Sequence, residues 1–322
     1  MARSYQKVNY ALRPAKNIER KMICEALRQL SEFGLVETYR YIGFGSLYFS
    51  DFILFHKALN ITSMISIEGE PDSNLQKRFI FNRPFGCIDI RFGHSNSVLP
   101  TLDWNQDTIA WLDYDGKLDR CVLADVKTMC SRAKEGSVLI VSVNAHPGSE
   151  FEKDGSGEER SRLDRLKELV GEEKIPIDIS NKNLSAWKTA EAFRRIINNE
   201  IDETLTNRNG GLLGAEKLRY KQIFNFHYND GANMLTVGGV FFNQETEHKV
   251  DNCAFERLPF TRLKEEAFKI EIPYLTYREL RNLDNHFPIK ASLPKLDGVP
   301  DSAIRIYSEV YRYFPNFAEA EL

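Results

Sequence analysis

No stretch of this 322-residue chain holds the roughly 20 consecutive apolar residues that a membrane-spanning helix needs, so no helical span is expected. Met1 to Lys16 carries several charges and no apolar run, which speaks against a secretory leader and for a cytoplasmic protein. Cysteine is scarce. Cys24, Cys87, Cys121, Cys130 and Cys253 are odd in number and none forms a Cys-x-x-Cys pair, so neither a disulfide framework nor a zinc ribbon is expected, and no other metal site. They read as buried thiols in a reducing compartment. An excess of one charge is also lacking: the formal net charge is -3, which supplies no global field to draw the chain to nucleic acid or an anionic membrane. Repeats and low-complexity tracts are absent. What remains is 42% hydrophobic and 28% charged, the composition of a globular protein with a sizeable core, and the length suits one elaborated α/β domain.

The apolar residues Ile18, Met22, Ile23, Ala26, Leu27, Leu30 and Phe33 recur at three- and four-residue steps, predicting an amphipathic helix from Pro14 to Phe33. Short β-rich runs then alternate with helical ones: strands at Thr38–Gly43, Ser63–Glu68, Cys87–Phe92, Thr108–Asp113 and Ser137–Asn144, with helices at Phe49–Leu59, Ser73–Asn82, Ser97–Leu102 and Leu118–Lys134. Such alternation implies βαβ units and a parallel sheet covered on both faces. Ala145–Arg219 is charged and helical and longer than a connection requires, which suggests a cap or lid at about 148–218. Tyr220–Tyr228 and Met234–Phe242 flank Asn229-Asp230-Gly231 and read as an antiparallel hairpin. The tail adds a strand at Phe268–Ile272, a helix Thr276–Asn285 with a capping box from Thr276 and Glu279, and a helix Ser302–Tyr313. Three parts follow: a helical segment 1–36, an α/β domain 37–250, and an extension 251–322 packed on the core.

Gly43-Phe44-Gly45-Ser46 stands directly after the first strand, where glycines let a ligand approach the backbone and free N–H groups suit an anion. A Gly-x-Gly turn alone is weak evidence. Glu68 strengthens it, because it ends the second strand about 20 residues later, the separation at which an acid meets a ribose hydroxyl pair. An adenosine-containing cofactor is therefore expected, with Gly93 and His94 after the third strand near its adenine. The fourth strand ends in Asp113-Tyr114-Asp115, two carboxylates and an aromatic ring at the edge where open α/β sheets bind ligands. Asp113, Asp115 and His94 are candidate catalytic groups; Asn144 and His146, after the fifth strand, are candidate substrate contacts.

The Gly-x-Gly loop, the acid ending the second strand, the acidic fourth strand and the closing hairpin together resemble a class I S-adenosylmethionine-dependent methyltransferase. Leu12-Arg13-Pro14-Ala15-Lys16 with Glu19-Arg20, then Tyr41-Ile42-Gly43-Phe44-Gly45-Ser46-Leu47-Tyr48-Phe49 and Leu112-Asp113-Tyr114-Asp115, are more narrowly similar to a bacterial family described as putative O-methyltransferases. The resemblance implies a doubly wound, mostly parallel seven-stranded sheet with an antiparallel closing hairpin. It also implies S-adenosyl-L-methionine as cofactor, with Gly43, Gly45, Ser46, Glu68, Gly93, His94, Asp113 and Tyr114 around it. The usual motif has an acid two residues before its first glycine, where this chain has Tyr41, and a third glycine where it has Leu47. Contact with the methionine amino group must come from Asp113 or from the Arg13, Lys16, Arg20 segment, which also offers acceptor contacts.

The expected activity is O-methyl transfer to an unidentified acceptor, a small molecule in preference to nucleic acid or protein, by a protein that could act as a homodimer. No Asn-Pro-Pro-Tyr motif or cysteine at the fourth strand points to base methylation. Two other readings fit part of the pattern. A nicotinamide oxidoreductase would need glycine at Tyr48 and leaves the hairpin unexplained; a cofactor-binding interaction protein without turnover would account for the altered motif.

Overall fold

The computed structural model describes residues 13–289 and 292–316; Leu12 of the N-terminal motif lies outside them. Its centre is an eight-stranded sheet with the order β3-β2-β1-β4-β5-β9-β8-β10. The strands are β1 (Arg40–Gly43), β2 (Ser63–Glu68), β3 (Ile88–Phe92), β4 (Thr108–Asp113), β5 (Val138–Asn144), β8 (Arg219–Asn229), β9 (Asn233–Phe242) and β10 (Phe268–Ile270). β6 (Phe151–Lys153) and β7 (Glu159–Ser161) form a separate two-stranded hairpin. The helices are α1 (Pro14–Arg28), α2 (Ser50–Leu59), α3 (Ser73–Asn82), α4 (Ser95–Val98), α5 (Arg120–Arg132), α6 (Arg162–Val170), α7 (Lys188–Arg208), α8 (Glu247–Asn252), α9 (Tyr277–Asp284) and α10 (Asp301–Val310).

β1 to β5 pair in parallel, and β9 runs antiparallel between β5 and β8. The closing hairpin thus forms as expected. The expected strand count of seven is corrected to eight, because Phe268–Ile270 adds parallel to β8 in register with Phe226–Tyr228 and covers what would be an open edge. α1 ends at Arg28, short of the expected Phe33, and continues as a 3-10 turn over Gln29–Glu32.

Side chains alternate between the two faces of the central strands. Tyr41, Ile109, Trp111, Val138 and Ile140 enter one core with α1 and α2, while Ile42, Ala110, Leu112, Leu139, Val141 and Val143 enter the other with α5 and α7. β5 is buried through Val143, which is why it reads as a continuous apolar run. Within the long segment after β5, α7 is not surface material: Phe193, Ile196, Ile197, Ile201 and Leu205 are buried against the second face. The β6 strand is exposed, with Phe151–Lys153 all facing solvent, as are Ile177 and Leu213 elsewhere in the segment. α8 crosses residue 250, and its Val250 and the Cys253 that follows it enter the first core. Among the described residues no helix is long and apolar enough to cross a membrane, and no group of three or more His, Cys, Asp or Glu is placed to hold a metal ion.

Candidate active site

A cavity of about 760 Å³ opens at the carboxyl ends of β1, β2, β3 and β4. Its floor is the loop after β1. Ser46 holds a left-handed backbone at φ +55°, uncommon for a residue with a side chain. Its N–H donates to Glu68 Oε1 at 3.0 Å, Gly45 N–H donates to Ser66 Oγ at 2.9 Å, and Ser66 Oγ donates to the same Glu68 oxygen at 2.6 Å. Glu68 is 6% exposed, and burial pushes its carboxyl up to about 7 against the pull of these donors. Ser46 Oγ is buried at the same place without a hydrogen-bond partner among the described residues.

Both glycines of the loop are required by neighbours. A Cβ on Gly43 would lie 2.6 Å from the Tyr41 hydroxyl, and one on Gly45 would lie 2.4 Å from the Phe49 ring and 2.7 Å from Ser66 Oγ. Gly43 therefore lies beneath the cavity wall, not on it. The space it leaves holds a hydrogen bond from the Tyr41 hydroxyl to Asp51 Oδ2. Asp51, in the first turn of α2, lines the cavity and supplies a carboxylate where the glycine motif lacks one. Burial raises its carboxyl above the usual range, and the Arg20 charge acts against that rise. Arg20 lines the cavity from α1.

Lys16, one turn earlier on α1, is 4% exposed. Its Nζ lies 2.7 Å from Asp113 Oδ1 and 2.7 Å from Glu19 Oε2, donates to the Tyr228 hydroxyl at 3.1 Å, and stands 4.5 Å over the Trp111 ring. Burial alone would lower the lysine, but Asp113 and Glu19 outweigh it and hold its ammonium well above the ordinary value. The chain of contacts continues from Glu19 to Thr236, from Thr236 to Ser142 at 2.7 Å, and to Trp111 Nε1 at 2.9 Å.

Across the cavity, the Tyr114 and Phe44 rings meet edge to face at 5.1 Å, and the Tyr114 hydroxyl donates to Asp125 Oδ2 at 2.6 Å. Asn96 Nδ2 donates to Asp125 Oδ1 at 2.7 Å. Ile67 and Val122 add apolar surface. Gly93 and His94 line this end, His94 as the exposed residue before α4. Cys121 also lines the cavity and is exposed, a correction to the expectation of five buried thiols; all five are free.

The structure thus brings together Gly45, Ser46, Glu68, Gly93, His94, Asp113, Tyr114, Asp115 and Arg20. Asp115 is exposed at the rim. Lys16 reaches the site through Asp113. Arg13 sits near Asp230 in the β8–β9 turn, and Asp230 accepts the Lys16 backbone N–H. Asn144 accepts the His146 N–H at 2.8 Å, and His146 lines a separate small crevice beside Lys117, Arg162 and Arg165. Sequence reasoning missed Asp51, Phe44 and Lys117. Of these only Phe44, inside the glycine loop, carried a local signal.

A family model described as "Putative O-methyltransferase" matches residues 8–322. No curated protein matches the chain. Solved structures similar to it include Trm1 from Pyrococcus horikoshii in complex with S-adenosyl-L-methionine, at 10% identity and a TM-score of 0.44, covering 74% of this chain and 57% of that one. Another is the O-methyltransferase TomG from Streptomyces achromogenes in complex with SAM, at 14% identity and a TM-score of 0.37, covering 68% and 79%. A third is SAH-bound PaMTH1 from Podospora anserina, at 9% identity and a TM-score of 0.30, covering 62% and 70%. The chain spans little more than half the length of Trm1.

Proposed function

We propose that this chain, which belongs to the family described as putative O-methyltransferases, performs S-adenosylmethionine-dependent methyl transfer, with the donor in the cavity at the ends of β1–β4 and a small soluble molecule presenting an oxygen as acceptor. The observation that carries the placement is the buried Glu68 carboxylate, fixed by Ser46 N–H and Ser66 Oγ beside an unpartnered Ser46 hydroxyl. This donor set fits an adenosine: a carboxylate for the ribose hydroxyls, the Phe44, Ile67, Tyr114 and Val122 surface for the base, and Asn96 with His94 at its edge. Asp51 and Arg20 match the ammonium and carboxylate of the amino-acid end, so Asp51 takes the place of the acid missing at Tyr41.

The donor, when bound, supplies a methyl group already activated by sulfonium charge. The protein's part is to align the acceptor and exclude water. Asp113 has one oxygen held by Lys16, and for Oδ2 no hydrogen bond is found among the described residues. That oxygen orients the acceptor hydroxyl and takes its proton. Asp115 and His94, both exposed, contribute at the rim. The reading takes the cytoplasm as location, which five free cysteines support. The reading extends to a homodimer as the working assembly.

Calorimetric titration tests the donor site. S-adenosylhomocysteine is expected to bind one per chain while NAD does not; binding of NAD alone would return the site to nicotinamide chemistry.

A further inference from the structure

The basic residues of the long segment divide into two groups. Arg160 is met by Asp154 at 2.9 Å, Glu158 at 3.0 Å and Glu168 at 3.7 Å, and Lys167 by Glu172 at 2.5 Å, an ordinary solvated ion-pair surface. Arg162 and Arg165 turn the other way, into a crevice of about 30 Å³ that they share with Lys117 and His146. They are steadied by backbone carbonyls: Arg162 donates to Gly148 O at 2.9 and 3.2 Å, and Arg165 to Arg160 O at 2.7 Å and Ser149 O at 2.5 Å. Lys117 lines both this crevice and the donor cavity, so the two spaces share one ammonium.

Three cations therefore face one another across Gly148. A Cβ built there would stand 3.1 Å from Glu152 Oε1, 3.4 Å from Lys117 Nζ and 3.8 Å from Arg165 Nη2. Burial, Arg165 and Arg162 all press the Lys117 ammonium downward, and Glu152 alone opposes them. Glu152 sits on the exposed β6 strand, its side chain 48% accessible and 3.6 Å from Arg165. A carboxylate so placed is a weak and replaceable counter-ion. Fixed guanidinium forks beside a lysine suit a planar carboxylate or a phosphate.

We propose that the methyl acceptor carries a terminal oxyanion, a carboxylate or a phosphate, received by Lys117, Arg162 and Arg165 with displacement of Glu152. The proposal rests on the donor placement above, because Lys117 is what joins the crevice to that cavity. The crevice admits only the charged terminus, and the remainder of the acceptor runs past Lys117 toward Asp113.

The test titrates inorganic phosphate and, separately, acetate at constant ionic strength, with and without S-adenosylhomocysteine. Saturable binding of one anion is expected, and which one it is separates phosphate from carboxylate acceptors. Arg165→Gln and Lys117→Gln should weaken it by about tenfold, as loss of a charge-assisted contact does. Arg160→Gln should leave it within about twofold, as a solvated pair would, and Glu152→Gln should tighten it. Absence of saturable binding to a protein that does bind S-adenosylhomocysteine, equal loss in Arg160→Gln and Arg165→Gln, or no gain in Glu152→Gln overturns the proposal. Anion binding without S-adenosylhomocysteine binding would instead remove the donor reading and leave the anion site standing.

Discussion

At the scale of single residues, the proposed placement of the donor on Glu68 would make its binding a titration of this residue. With its carboxyl raised to about 7 by burial, a large fraction of the free protein near neutrality holds it protonated. Ribose hydroxyls donate to the ionised form, so binding releases a proton, and affinity falls as pH drops through 7, approaching tenfold per unit. Calorimetry of S-adenosylhomocysteine between pH 5.5 and 8 is expected to show this slope, and Glu68→Gln to flatten it and weaken binding by about 1–3 kcal/mol. Folding stability responds with the opposite sign: a raised carboxyl favours the folded state at low pH, and that contribution is lost as pH rises from about 4.5 to about 7. Asp51→Asn offers a finer comparison. It is expected to weaken S-adenosylhomocysteine by about 1–3 kcal/mol yet leave 5′-methylthioadenosine, which lacks the amino-acid end, unchanged; equal losses for both ligands would take Asp51 out of that role. Glu68 was legible in the sequence because its spacing from the glycine loop is local information. Asp51 was not. Its carboxylate arrives from the far side of the loop, and only the absence of a Gly43 side chain lets Tyr41 hold it there.

Among the elements, α1 reaches the site by two routes, Arg20 directly at the cavity and Lys16 through Asp113. Its periodicity announced an amphipathic helix, and Arg13, Lys16 and Arg20 read as ligand contacts. What the periodicity did not show is that Lys16, Glu19 and Arg20 are buried against the sheet. Removing one partner of such a cluster strands the other charge in an apolar setting, so Lys16→Met is expected to cost about 3 kcal/mol or more in urea unfolding. Adding Glu19→Met should recover part of that loss; a double variant no more stable than the single one would show that Glu19 is satisfied without the lysine. The segment after β5 divides in the same physical terms. α7 falls within the expected cap or lid because its charges are visible in sequence and its partner face is not, yet it fills one side of the sheet. Its amides are expected to exchange slowly, while those of the exposed β6–β7 hairpin exchange by local opening. Protection of the hairpin comparable to that of α7 in the free protein would count against its acting as the movable part of the lid.

On the scale of the whole molecule, the alternating strands and helices and the Asp-Gly hairpin made the doubly wound sheet readable, because each depends on periodicity within a few residues. The eighth strand was harder. Phe268–Ile270 is three residues long, and its membership is decided by an edge of β8 left open 40 residues earlier in the chain. The C-terminal helices have a small cluster of their own around Leu283, Ile304 and Tyr307, but Val310 and Tyr313 belong to the first core and the Tyr313 hydroxyl donates to Glu25 at 2.5 Å. Scanning calorimetry is therefore expected to give one unfolding transition, and an early separate melt would show the extension to be an independent unit.

The buried pairing of α1 also imposes an order in time. Lys16 finds Tyr228 at a separation of 212 residues and Glu19 finds Thr236 at 217. During synthesis the first helix emerges long before either partner exists, and contacts of such separation form late. α1 is thus made early and tied late, and a ribosome-bound chain that has completed β1 to β5 still lacks these partners for Lys16 and Glu19. Only when β9 settles between β5 and β8 do Lys16 and Glu19 gain these two partners, which makes the closing strand the step that seals the start of the fold to its end.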